Sequence, residues 1–348
     1  MNKTQFINIF ISPLFKKKIK MDDIDSDIHD EIIDLSNRFC MPKQILDNFI
    51  FSKDSENKVI NSLKKQIDIS NLKNLINQKE IIKISDLFNR HGIEYVFLKG
   101  SAINLLDINY VRYCRDIDVL IEKSSIPKAY ELLKEVGYKY RNPLVSDDSK
   151  YISRSHHLPI LINNEGALVE LHHRVTDYLS YKRCPLAESM LKHFELAKKN
   201  NVDIRISDLN HLISHLIYHA AFHHKFDLGP VFLFDIQNLR CLVNDEKGLI
   251  DSLDSIGLRK DYEEILKYID NKNMTDSFNI YENVKLKKNE NNFKYIFLNK
   301  NGELDFLNKI VNKLKNMEDS YQTSKYSIKY YFFLLVELKN LCLRILKI

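Results

Sequence analysis

Glycine and proline are scarce in this chain, 8 and 7 of 348 residues, while Leu, Ile, Lys, Asn and Asp are plentiful. So few chain breakers point to a largely helical fold. Cysteine is also thin. The five (Cys40, Cys114, Cys184, Cys241 and Cys342) are dispersed with no CxxC pair. That pattern excludes a disulfide framework and fits a reducing, cytoplasmic setting. No apolar run approaches the ~18 residues needed to cross a membrane. Charge of one sign is missing too: 52 basic against 47 acidic residues leave a net +5. This balance is too even to argue for long nucleic acid, although a phosphate-bearing partner is compatible with it. What the chain does have is 44% apolar residues, enough to bury a real core and to exclude global disorder.

At the amino end, "MNKTQFINIFISPLFKKKIK" has a short apolar stretch broken by Pro13 and followed by three lysines rather than a small-residue cleavage site. It reads as a local helix or hairpin packed on the body. At the other end, "YYFFLLVELKNLCLRILKI" is interrupted by Glu337, Lys339 and Arg344 at helical intervals. A packed amphipathic helix is the first expectation there, and contact with a membrane surface the second.

From Asp22 to about Arg90 apolar residues recur every three or four positions, which predicts several short helices with polar connections. The texture changes after His91-Gly92. "IEYVFLKG" (93–100) predicts a strand, with a helix from Ser101, and "DIDVLIE" (116–122) a second strand. "SSIPKAYELLKEVGY" (124–138) predicts a serine-capped helix with Pro127 in its first turn and Gly137 at its end. "HLPILIN" (157–163) and "ALVELHH" (167–173) form a hairpin around "NEG", and "VDIRI" adds one more short strand. The chain thus divides into a helical segment (1–84), an α+β unit (85–180) built on a small mixed sheet, and a helical carboxy-terminal domain (181–348).

Asp116 and Asp118 carry the first chemical signal. Side chains at i and i+2 of a strand share a face, so the two carboxylates point together while Ile117, Val119 and Ile121 fill the other side. Two carboxylates aimed at one spot repel unless a cation joins them, and oxygen donors of this kind suit Mg²⁺. A bare Asp-x-Asp is also common on solvated sheet faces. Gly100 and Ser101 shift the balance. A strand-to-helix turn with glycine lets backbone N–H groups approach a phosphate, and the serine hydroxyl adds one hydrogen bond.

Leu98-Lys99-Gly100-Ser101, Arg112 four residues before Asp116, Asp116-Ile117-Asp118-Val119-Leu120-Ile121, Gly137-Tyr138 and Glu170-Leu171-His172-His173-Arg174 together resemble a family signature. The stretch is similar to the bacterial uncharacterised nucleotidyltransferases of the DNA polymerase β-type superfamily, with His173 where that family's pattern has tryptophan. The match is firm over about 95–175, and 207–243 resembles the family's helix of spaced histidines followed by Leu-x-Asp. The resemblance implies a nucleotidyltransferase-like fold that moves a nucleoside monophosphate from an NTP to a hydroxyl or phosphate acceptor and releases pyrophosphate. It implies two Mg²⁺ (or Mn²⁺) ions held by Asp116, Asp118 and a third acid, Glu170, which lies in an apolar strand where a lone carboxylate is costly. Gly100 and Ser101 would hold the β- and γ-phosphates, and Lys99 and Arg112 are candidates to neutralise the triphosphate. Arg115 should face away and be structural.

Glu170 and His172 share a strand face, so His172 is a candidate contact to acceptor or phosphate. His211, His215, His219 and His223 recur every four residues, with His224 adjacent. The plainer reading is a helix across the cleft, with His215 and His219 touching acceptor or phosphate; a transition-metal site is the sharper one. Asp235 could fold back towards this helix, and His156 and His157 could line the same cleft. Other readings of the whole chain are a phosphotransferase on the same fold, a non-catalytic nucleotide sensor or toxin–antitoxin partner, and a histidine-based metallohydrolase. The acceptor, the base of the NTP and the oligomeric state stay open.

Overall fold

The structure is a computed structural model, and it describes residues 3–51, 58–106, 108–142, 155–175, 186–220 and 229–270. The expected carboxy-terminal amphipathic helix, the Lys/Asn-rich stretch at 283–295, His223, His224, Cys184 and Cys342 lie outside the described residues. No helix among those described is long and apolar enough to cross a membrane.

The amino-terminal stretch coils into helical turns beginning with α1 (Lys3–Phe6), and Phe6, Ile9, Phe10, Ile11 and Leu14 are buried against the body. Helices α2 (His29–Arg38) and α3 (Pro42–Asn48) follow, flanked by the two-residue strands β1 (Ile19–Lys20) and β2 (Phe49–Ile50). Where more short helices with polar connections are expected, up to residue 90, the chain forms a single long helix. α4 (Lys58–His91) runs 34 residues without a break. Its apparent polar connections hold Asn74, Asn77 and Glu80, which are buried and hydrogen-bonded rather than solvated. With no Gly or Pro between Lys58 and His91, nothing stops the helix. Gly92, at φ 65°, ends it.

The mixed sheet that positions the site has seven strands. β3 (Tyr95–Phe97) leads into α5 (Lys99–Ile103), and β4 (Ile117–Ile121) into α6 (Ile126–Glu135). The hairpin strands β6 (Leu161–Ile162) and β7 (Leu168–His172) pair antiparallel around "NEG", with β5 (Lys139–Tyr140) outside them. Past α7 (Leu186–Lys192) come β8 (Phe194–Lys199) and β9 (Val202–Ser207), so the sheet extends beyond residue 180. The spatial order is β5-β6-β7-β4-β3-β9-β8. The described chain closes with α8 (Leu209–Tyr218), α9 (Val231–Arg240), α10 (Glu246–Ser255) and α11 (Arg259–Asp270).

Alternation along the strands divides the core in two. Tyr95, Phe97, Ile117, Val119, Ile121, Val169 and Leu171 join the large apolar cluster, which runs from Phe6 to Ile269. The opposite face carries Val96, Leu98 and Leu120, covered by Leu186, Ala187 and Met190 of α7. Asp118 shares that second face with Leu120, so it points away from the main core.

Candidate active site

The site begins with a register. β4 and β7 are parallel, and Asp118 lies opposite Glu170, with Leu120 opposite His172. Two acids distant in sequence thus meet on one face of the sheet, with His172 two residues further along it. β3 is antiparallel to β4, and the Leu98 amide donates to the Asp118 carbonyl at 3.0 Å. That bond brings the strand-to-helix turn alongside Asp118. At the turn Lys99 adopts φ 51°, a left-handed conformation in which a side chain carries strain.

From there Lys99 Nζ donates to Asp118 Oδ1 at 2.8 Å, and both side chains are largely buried. His172 Nε2 lies 2.9 Å from the same Asp118 oxygen and 3.4 Å from Glu170 Oε2. Asp118, Glu170 and His172 each offer a ligand atom, all within 4.8 Å of one another, the one such group among the described residues. The His172 ring packs 5.2 Å from His157 and 5.5 Å from His156. Asp116, half-buried one residue before β4, stands beside this group rather than in it.

The charges sort the acids. Burial, with Asp118 and Glu170 close by, pushes the Asp116 carboxyl up to about 7. Burial also works to raise Asp118, but Lys99 and His172 outweigh it and hold that carboxyl well below its usual range. Glu170 falls for a similar reason: burial opposes, and the His172 hydrogen bond prevails. Lys99 and His172 both rise above their ordinary values, burial in each case being overcome by the neighbouring carboxylates. Asp118 is therefore the ionised centre of a buried cluster, bonded by both Lys99 and His172.

Gly100 and Ser101 open α5 beside this cluster. A Cβ at Gly100 would sit 2.9 Å from Cys114 Cβ, so glycine is needed here for close packing of α5 on the segment that leads into β4. Ser101 Oγ is buried without a hydrogen-bond partner, an orphaned donor at the turn. Arg112 is held elsewhere. Its Nε lies 3.0 and 3.1 Å from the two carboxylate oxygens of Asp235 on α9, and Tyr110 donates to Asp235 at 2.7 Å. Arg115 reaches back to the Asn37 carbonyl at 2.8 Å.

Sequence reasoning missed three asparagines. Asn104 Nδ2 and Asn74 Nδ2 donate to the Arg112 carbonyl at 2.6 and 3.2 Å, and Asn77 Nδ2 to the Cys114 carbonyl at 3.4 Å. They brace residues 112–114 so that Asp116 and Asp118 enter the sheet in register. Polar positions inside an otherwise amphipathic helix were the signal that could have found Asn74 and Asn77. On α8, His211 is tied to Asp208 and to Ser189, 2.7 Å from its Nε2, while the buried His215 packs against His219, ring centroids 6.1 Å apart. Among the described residues these histidines form no cluster of metal ligands.

With this geometry in hand, the family model described as an uncharacterised nucleotidyltransferase matches residues 50–271. The chain belongs to that family. No curated protein matches. Among solved structures, an antigenic nucleotidyltransferase-like protein from Paracoccidioides brasiliensis is similar at 17% identity, with 55% of this chain and 92% of that chain covered and a TM-score of 0.35. So distant a likeness carries no further weight. In this uncharacterised nucleotidyltransferase the match takes in every strand from β3 to β9 and the helices bearing Asn74 and Asp235.

Proposed function

We propose that this chain is a metal-dependent nucleotidyltransferase that moves a nucleoside monophosphate from an NTP to a hydroxyl or phosphate acceptor on a small molecule or protein. The observation that carries the reading is the register pairing of Asp118 with Glu170, a buried and a half-buried acid gathered at one point beside a strand-to-helix turn. The donor set fits a divalent cation: Asp118 and Glu170 are largely buried carboxylates that face each other across the β4–β7 register. Asp118 and Glu170, with Asp116 beside them, would hold the metal, which would supply charge stabilisation for the attacking and leaving oxygens.

Around it the chain's own residues divide the work. The Ser101 hydroxyl, without a partner, and the amides of the α5 turn receive the β- and γ-phosphates. Lys99, close enough to Asp118 to swing between the two, places its ammonium against the triphosphate. Glu170 accepts the proton of the acceptor hydroxyl as that oxygen bonds to the α-phosphorus. The bond from the α-phosphorus to its bridging oxygen then breaks, and pyrophosphate departs. Arg112, paired with Asp235, serves as a positioning residue for the segment entering β4.

The test is incubation with each α-labelled NTP, a divalent cation and a cell extract, beside the double variant Asp116→Ala/Asp118→Ala. Label transferred by the native chain and lost in the variant is expected. Equal labelling by both proteins would overturn the proposal.

A further inference from the structure

Resting on that reading, we propose that Asp118, Glu170 and His172 form a mixed oxygen–nitrogen site for a divalent first-row transition ion, with His172 Nε2 as a direct ligand. The three-carboxylate arrangement that the sequence suggests offers oxygen alone; this one adds a nitrogen. The tight group that the fold builds contains an imidazole and omits Asp116.

Distances support a ligand role. Around one six-coordinate ion with bonds of ~2.1 Å, neighbouring donor atoms lie roughly 3 Å apart. His172 Nε2 is 2.9 Å from Asp118 Oδ1 and 3.4 Å from Glu170 Oε2. His172 is 1% exposed and Asp118 4%, so little water competes for these atoms, and the competitor in place is the Lys99 ammonium on Asp118 Oδ1. His172 Nδ1 is buried without a hydrogen-bond partner, so Nε2 is the nitrogen turned to the acids, and an ion bound there takes the place of its hydrogen bond to Asp118. The rings of His156 and His157 pack on His172, and register holds β7 against β4, so the nitrogen cannot readily turn away. Mg²⁺ demands oxygen donors and keeps its waters, whereas imidazole suits transition ions. Two carboxylates with one imidazole match an ion that tolerates both, and Mn²⁺ is the probe of choice because its unpaired electrons report on bound nitrogen.

The experiment titrates the full chain with Mn²⁺ by electron paramagnetic resonance and records electron spin-echo modulation on the bound ion. Nitrogen modulation is expected in the native protein, retained when ~10-fold excess Mg²⁺ is present. It should persist in His157→Gln and vanish in His172→Gln, with Mn²⁺ binding weakened by ~10-fold or more, as for loss of a ligand. A variant-free check uses native protein grown on ¹⁵N-histidine, in which the modulation must change to the ¹⁵N pattern. Bound Mn²⁺ without nitrogen modulation, modulation that survives in folded His172→Gln, displacement by equimolar Mg²⁺, or no Mn²⁺ binding at all would each overturn the inference. If labelled NTP is still transferred with Mg²⁺ in those cases, the proposed function stands and only the ligand assignment falls.

Discussion

At the scale of single residues, Asp116 and Asp118 are neighbours with opposite consequences for stability. Burial beside two other acids raises the Asp116 carboxyl to about 7. The folded chain therefore keeps a proton that the unfolded chain has released, and this acid lowers stability progressively as pH climbs from about 4 to about 7. Asp118 is shifted downwards, so its contribution is present above the ordinary carboxylate range and is lost as pH falls. In EDTA, Asp116→Asn should melt a few degrees above the native chain at pH 8 and together with it at pH 4. Asp118→Asn should melt below the native chain at pH 8, because Lys99 and His172 lose their shared anion. Thermal melts across this range check both, and parallel profiles for native chain and Asp116→Asn would show that Asp116 ionises normally. Much of this was readable from the alternation in "DIDVLI", which sets both acids on one face. The division of labour was not readable, because it depends on which cations the fold delivers to Asp118.

At the scale of elements, the turn into α5 depends on Gly100 for packing. A methyl at this position meets Cys114 Cβ at 2.9 Å. Gly100→Ala should therefore push α5 off the lead-in to β4 and move Ser101 and Lys99 with it, raising the Kd for an NTP ~10-fold while the fold survives. Cys114→Gly in the same chain removes the obstructing atom and should recover most of that affinity, measured by calorimetry with a non-hydrolysable NTP. No recovery would place the effect in backbone amides rather than in packing. Strands β3, β4, β6, β7 and β9 and α6 were legible because local alternation and turn residues mark them, although Ser125 at the start of α6 makes no side-chain cap bond and Pro127 alone marks its first turn. The parallel pairing of β4 with β7 was not, since a helix and a hairpin intervene between them. β8 was missed because Phe194–Lys199, "FELAKK", leaves all of its residues half-buried or exposed at the sheet edge. The unbroken α4 was missed because Asn74, Asn77 and Glu80 look like solvent-facing residues until their buried partners are known.

At the scale of the whole molecule, one ion pair ties the segment leading into β4 to the helices that follow the sheet. Arg112 and Asp235 lie 123 residues apart and meet at 3.0 Å, with Tyr110 completing the carboxylate's hydrogen bonds. In the sequence Arg112 stands before Asp116 and Asp235 follows the histidine helix, so each lies nearer to other chemistry than to its partner. Only the fold shows that they belong to each other. Because both side chains are largely buried, Asp235→Ala would strand a guanidinium away from water and should destabilise the chain by about 3–5 kcal/mol. Arg112→Met/Asp235→Leu removes both charges, so it should cost clearly less than the single change. Arg112→Lys, which cannot hold the same fork, should fall between them. Urea unfolding of these variants against the native chain measures the differences at constant slope. Additive losses in the double variant would show that the two residues act independently. Non-additive losses, with NTP affinity falling in Asp235→Ala although α9 holds none of the proposed nucleotide contacts, would show that the helices after the sheet position Asp116 and Asp118.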